Sequence, residues 1–436
     1  MAIQDYSGSS PSFEIVTFTK GLKSKSDKKV IKYGCFYMDY DIKEKIIKFN
    51  KSNPDYKIEV ESFSDDSSYD SYEENIKAFD LAVMEKGRFD VIDLSNLEYE
   101  KYAKKGILAD LNDFLKKDKD ISRESLFESV LKANEIDGHL YRLTPFFTIQ
   151  ALVGSKEKLK DVGTWNTASL VELRKKYPDV DFMEYMTKEY ALSRILTSCI
   201  GDFINPKTGD CNFVSEEFYN ICEYANTFPA DINYDDAIDE WALIKSGDII
   251  LTSLYMNEIA SVEIYSELFG NDLEIVGYPS KEGALFPIYA NSPIAISATS
   301  KNKDGAWTFV KELLDEEYQI KNSYSGFPLL KSAFDAKMKD EMAVETYIDE
   351  NGQVQKVKKG GWGNGSTMVY YYGASESTVN RVREIIENVS LEANYDEQVY
   401  KIILEEVQAY FSGSKSKEDV ANIIQSRVKI YLAENM

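Results

Sequence analysis

His139 is the only histidine among 436 residues, and that number removes most of the catalytic repertoire. A Ser–His–acid triad or a His-rich metal site needs imidazoles placed by strands or helices. Asp137-Gly138-His139-Leu140-Tyr141 reads instead as a tight turn entering a strand, with a solvated ring. Cys35, Cys199, Cys211 and Cys222 contain no C-x-x-C pair. Buried free thiols are one reading of them, and a single bridge within 199–222 is the other. No nucleophile elbow, Walker A or dinucleotide fingerprint follows a strand pattern. Gly361-Trp362-Gly363-Asn364-Gly365 lacks the lysine and helix start of a phosphate loop, and Asp231 to Glu240 lacks the spacing of a calcium loop. The 74 Asp and Glu supply so many carboxylate pairs that pairing carries no signal for glycoside hydrolysis. The expectation is a protein without catalytic residues, metal or cofactor.

Aromatic residues are the exception to this poverty: 30 Tyr, 22 Phe and 4 Trp. Flat rings stack on the C–H faces of sugars while Asp, Asn and Gln take the hydroxyls. Most must nonetheless be core. Trp307 falls on an apolar helical stripe with Ala306, Val310 and Leu314, Trp165 precedes a helix cap, and Trp241 lies on a helix before Gly247. Trp362 differs, because flanking glycines leave its indole no local packing, and it reads as a ligand platform at a loop tip.

These side chains need elements to position them. A chain of this length fits two lobes of roughly 200 residues each. Val30 to Phe36 reads as a buried strand. Asp41 then caps a helix with Glu44 closing a capping box, and Ile42, Ile46 and Phe49 fall on one face. Tyr56 to Val60 and Phe89 to Leu94 read as further strands, so strands alternate with helices as in an α/β fold with parallel sheets. In such sheets ligands bind beyond the carboxyl ends of strands, here the loops Tyr37 to Tyr40 and Ser95 to Leu97. The second half is helical, with apolar stripes at Val379/Val382/Ile386/Val389, Val399/Ile403/Val407 and Val420/Ile424/Val428, the last capped by Ser416 and Asp419. Residues 350–366 read as a long loop.

The stretch from Ile46-Ile47-Lys48-Phe49 to Tyr56-Lys57-Ile58-Glu59-Val60 resembles the first helix and second strand of the extracellular solute-binding proteins of ABC importers, in the maltose-binding-protein-like group. So do Phe89 to Leu94 followed by Gly106-Ile107-Leu108-Ala109-Asp110-Leu111, the Asp137–Tyr141 turn, Ala306 to Leu314, and Gly326-Phe327-Pro328-Leu329-Leu330. Five motifs in order cover residues 29–436.

The resemblance implies a two-lobed periplasmic-binding-protein-like fold with crossing hinge strands. The expected crossings are Thr144 to Thr148 and, returning, Phe286 to Ser292. Lobe one would be 29–147 plus 293–322, and lobe two 148–292 plus 323–436. It implies capture of a mono- or oligosaccharide between the lobes, delivery to ABC permease subunits, and a monomer. The expected contacts are Tyr37, Asp39, Tyr40, Ser95, Asn96, Phe147, Ser253, Tyr255, Asn291, Ser292 and Trp362; a solvated loop residue is the other reading of each polar member. A net charge of −23 argues against nucleic acid and anionic lipid. The start shows no export signal, and Phe13 to Thr19 reads as an isolated strand before a polar linker. Residues 1–28 are therefore expected to be the tail of an upstream region in a surface lipoprotein, anchored outside the cell by a segment beyond this chain. A ligand-sensing or ligand-presenting module and a secreted glycan-active enzyme remain the alternatives.

Overall fold

The computed structural model describes residues 2–5, 12–15, 28–64, 72–178, 180, 186–205, 208–232, 239–389 and 397–435. Two sheets organise it. In the first, Lys29–Cys35 pairs in parallel with Tyr56–Ser62 and Val91–Asp93, and Ile294–Ile296 adds antiparallel to Val91–Asp93. Both faces are covered. Ile31 and Tyr33 meet Ile42, Ile46 and Phe49 of the helix Tyr40–Ser52, while Phe36, Phe89 and Ile92 meet Phe79, Tyr99 and Tyr102. Such double burial is why these strands read as near-continuous apolar runs.

The second sheet is built on the ten-residue strand Phe146–Ser155. Leu251–Met256, Leu273–Ile275, Ile288–Asn291 and Phe327–Pro328 all pair with it antiparallel. Period-2 alternation splits the central strand. Phe147, Ile149, Ala151 and Val153 enter one core, whereas Thr148 and Gln150 share the opposite face with Leu152. The helices Thr167–Lys176, Lys188–Cys199, Glu216–Ala225, Glu397–Phe411 and Lys417–Asn435 gather around a separate core that includes Leu192, Phe218, Ile403 and Ile424.

Three segments run between the sheets. Leu143 and Ile294 exchange backbone bonds of 2.9 and 2.8 Å, and the Leu329 N–H donates to the Pro145 carbonyl at 3.0 Å. The side chain of Asn291 donates to Thr148 Oγ1 at 2.9 Å and to the Ser325 carbonyl at 2.6 Å, tying the return strand to the other two segments. Ser292 turns the return strand at a positive φ of 52°, and Gly326 turns the third segment at 139°. The third segment falls next to the expected lobe boundary at 322/323, although no strand was expected in it.

Several local expectations change. The helix after the first strand is capped by Asp39, whose Oδ1 accepts from the Asp41 and Ile42 N–H groups, each at 2.9 Å. Glu44 pairs with Lys48 and Lys321 instead of closing a box. Residues 350–366 are not a loop: Thr346–Ile348 pairs with Val354–Lys356, and Gly360–Asn364 with Thr367–Tyr371. The amino-terminal strand is not isolated, since Ser12–Ile15 pairs antiparallel with Ala2–Asp5. Its expected continuation to Thr19, the polar linker through residue 27 and residues 233–238 of the Asp-rich stretch lie outside the described residues. All four cysteines are free, three of them buried.

Candidate functional site

The carboxyl ends of the first sheet's strands gather an acidic and tyrosine-rich edge. Asp93 closes its strand and is 4% exposed. Its Oδ1 accepts from the Ser95 N–H at 2.8 Å and from Ser95 Oγ at 2.6 Å, and its Oδ2 accepts from the Tyr33 hydroxyl at 3.2 Å. This Asx-type turn holds the exposed loop Ser95–Asn96 at the sheet edge. Burial raises the Asp93 carboxyl above its ordinary range, against the bonds from Ser95. Beside it the helix Tyr40–Ser52 begins, and Tyr324 donates its hydroxyl to Asp41 Oδ2. Burial also pushes Asp41 up, with Tyr324 opposing and Asp39 reinforcing. Tyr37, Tyr40 and Tyr324 stand exposed at 46%, 69% and 61%, so three phenols rim a set of carboxylates.

The second sheet presents the complementary half. Register puts Tyr255 opposite Gln150 and Tyr289 opposite Thr148, so all four share the face that avoids the Phe147 core. The Tyr255 and Tyr289 rings lie 6.3 Å apart, and the Tyr289 hydroxyl donates to Gln150 Oε1 at 2.9 Å. Burial, with Tyr255 adding to it, raises the Tyr289 phenol to about 12, which keeps it a neutral donor. Arg194, from the helix Lys188–Cys199, donates to the Tyr255 hydroxyl and lies 5.6 Å from each of the Tyr190 and Tyr255 ring centroids. Beneath this layer Gln150 Nε2, Ser253 Oγ and Tyr278 OH are buried, and none of the three has a partner within full hydrogen-bond geometry. Burial pushes the Tyr278 phenol up and the nearby Ser253 hydroxyl opposes it, so these two lean on each other while the Gln150 amide does not. A buried donor left unmet costs about 1–3 kcal/mol, so this face is built to be completed by something that accepts.

Of the expected residues, the structure brings Tyr37, Asp39, Tyr40, Ser95 and Asn96 to the first edge and Ser253 and Tyr255 to the second face. Asp39 is committed to its helix cap, and Ser253 lies beneath the surface. Asn291 and Ser292 sit between the halves, but both amide hydrogens of Asn291 are used in bracing the hinge. Phe147 is a correction: it is fully buried, 6.3 Å from Phe127 and 6.1 Å from Phe327, on the face turned away from Tyr255. Trp362 is a second correction. It lies in a paired strand, packed against the large core on that same averted side, and its indole covers Gly360, where an added Cβ would meet the ring at 2.6 Å. Gly360 makes room for the ring instead of denying it packing.

Sequence reasoning missed Gln150, Arg194, Tyr289 and Tyr324. A signal existed for two of them. Thr148 and Gln150 interrupt the apolar strand Phe146–Val153 at alternate positions, and Tyr289 shares its strand face with Asn291. Arg194 and Tyr324 carry no such signal, since only tertiary packing brings them to the site.

A cavity of about 450 Å³ opens elsewhere, between Glu258, Glu341, Lys359, Trp362 and Tyr371. It lies behind the second sheet, apart from both halves described above. Glu341 is already bonded to Tyr371 and paired with Lys337, while Glu258, Asp340 and Glu345 also line the cavity against Lys359 alone, so its wall is acidic. Among the described residues no group of three or more His, Cys, Asp or Glu could hold a metal ion. No described helix is long and apolar enough to cross a membrane.

Residues 37–320 match the family model of bacterial extracellular solute-binding proteins. No curated protein matches the chain by sequence. Among solved structures, the chain is similar to the sugar-binding protein MalE from the phytopathogen Xanthomonas citri, at 13% identity and a TM-score of 0.61, covering 93% of this chain and 98% of that one. It is also similar to a cyclic alpha-maltosyl-1,6-maltose binding protein from Arthrobacter globiformis, at 12% identity and 0.56, covering 93% and 100%. An ABC substrate-binding protein from Listeria monocytogenes, in complex with cycloalternan, follows at 16% identity and 0.54, covering 93% and 100%. At these identities the likeness establishes the fold.

Proposed function

The chain belongs to the bacterial extracellular solute-binding proteins, and on that premise we propose that it captures a carbohydrate between its two lobes for uptake by an ABC importer. The observation that carries this reading is the pair of polar, tyrosine-rich surfaces, one on each sheet. Neighbouring tyrosines with buried amide and hydroxyl donors stand on one sheet, and carboxylates rimmed by phenols stand at the strand ends of the other. Sugars present apolar C–H faces and hydroxyls that both donate and accept, which suits such a surface. The structural relatives named for the sugars they bind support the same class of ligand. Lobe one is taken as 29–147 with 293–322, and lobe two as 148–292 with 323–436. Hinge motion at the three crossing segments would bring the halves together, and closure would dry the site so that each hydrogen bond counts for more.

No side chain in either half is arranged as a nucleophile with its base, so the role is binding and release. Partnership with permease subunits and attachment at the cell surface belong to the same proposal. The test is thermal unfolding against a panel of mono- and oligosaccharides. A cognate sugar at 100 times its dissociation constant should add about 2.7 kcal/mol of stability. A flat response across a broad panel of neutral and acidic sugars would contradict the reading.

A further inference from the structure

Arg194 is half-buried and anomalous for so acidic a chain. Its guanidinium makes no ion pair with any described carboxylate; its bonded partner is the Tyr255 hydroxyl, with tyrosine rings on two sides. The groups that act on it most strongly, after burial, are the phenols of Tyr278, Tyr255 and Tyr190. A desolvated cation without a counter-charge is costly, and 74 acidic residues were available to supply one. On the same face Gln150, 2% exposed, has its carbonyl oxygen taken by Tyr289 and its amide nitrogen left without a partner. Tyr289 sits beside Tyr255 and is influenced by Arg194, so the two unmet donors belong to one contiguous patch.

We propose that this patch receives a carboxylate, and that the ligand is an acidic saccharide carrying a uronic-acid unit. The inference rests on reading the cleft as a saccharide site and adds the ligand's charge and orientation. A carboxylate offers two acceptor oxygens, one for the guanidinium and one for the Gln150 amide, while the sugar ring lies along Tyr255 and Tyr289. The rest of the ligand then extends toward Asp41 and Ser95, which accept from its hydroxyls. A neutral sugar would leave the Arg194 charge uncompensated after closure. A free inorganic anion would fit the cation but not the tyrosine surface.

The experiment is calorimetric titration of the whole protein with matched pairs at constant ionic strength: digalacturonate with its dimethyl ester, and glucuronic-acid-bearing xylo-oligosaccharides with the unsubstituted ones. Sodium acetate serves as the free-carboxylate control. At least one acid should bind about 10- to 100-fold more tightly than its neutral partner, the range expected for hydrogen bonds to a charged group. Arg194→Gln should abolish that ratio without lowering the melting temperature, and Arg194→Lys should restore part of it. Equal binding of acid and neutral forms overturns the inference and leaves the carbohydrate reading intact. Acetate binding as tightly as the acids also overturns it. Binding of neither member of any pair overturns it together with the reading beneath it. A preference that survives Arg194→Gln, with a lowered melting temperature, assigns Arg194 to structure and overturns it as well.

Discussion

At the scale of single residues, the same side chain can mean opposite things depending on what its neighbours leave open. Trp362 between glycines looked like an exposed platform, yet Gly360 is the floor on which the indole lies, 6.3 Å from Tyr371 and edge-on to it. Trp362→Ala should therefore lower stability by about 1–3 kcal/mol, since partial burial discounts the cost of truncating a fully buried Trp, and should leave saccharide affinity unchanged. Denaturant unfolding and titration of one variant check both halves of this statement. Lost affinity with unchanged stability would return Trp362 to the ligand. Phe147 failed as a contact for a reason visible in its strand: Thr148 and Gln150 carry the polar phase, so position 147 must face the core. The chemistry-bearing residues at the strand ends were legible because topology alone names those loops. Arg194 was not, because one cation on an amphipathic helix has no distinguishing spacing.

At the scale of elements, strands were read from apolar runs and the crossing points from the family resemblance, and the first and return crossings fall where expected. The third crossing was implied by the lobe boundary at 322/323, but its strand escaped because Phe327–Pro328 contributes only two paired residues. Gly326 is its pivot, at φ 139° and with an added Cβ placed 2.7 Å from the Phe147 carbonyl and 2.8 Å from Asn291 Nδ2. Gly326→Ala should cost more than about 1 kcal/mol and weaken ligand binding too, because the displaced Asn291 braces all three segments. A melting temperature and affinity both equal to the parent's would show that the segment is not a shared hinge.

A second element-scale feature is the loop holding Trp307. Burial pushes the Asp118 carboxyl up, but bonds from Trp307 Nε1 at 2.7 Å and from the Asp120 and Ile121 N–H groups outweigh it. With Lys311 at 3.3 Å, they hold the group at about 2. A depressed carboxyl stabilises the fold above its unfolded value near 4, and that stability is lost as pH falls toward 2. Asp118→Asn should remove about 1–2 kcal/mol at pH 7 and flatten the acid limb of a melting-temperature profile between pH 4 and 2. An unaltered limb would mean that the carboxyl is not held down.

At the scale of the whole molecule, two sheets joined by three segments explain why the proposed ligand contacts come from distant parts of the chain: Tyr37 and Ser95 from one sheet, Gln150, Tyr255 and Tyr289 from the other. The division into lobes was legible from length and alternation. The proposed use of one lobe's acids together with the other's tyrosines was not, since no local pattern encodes what meets across a cleft. Two surfaces compete for the ligand, the two half-sites and the cavity at Trp362, and they predict different footprints. Amide hydrogen exchange with and without a saturating oligosaccharide decides between them. Protection should rise together at Tyr37–Asp41, at Ser95–Leu97 and along 253–256 and 288–291, with residues 359–371 unchanged. Protection confined to one sheet, or centred on residues 359–371, would contradict capture between the lobes.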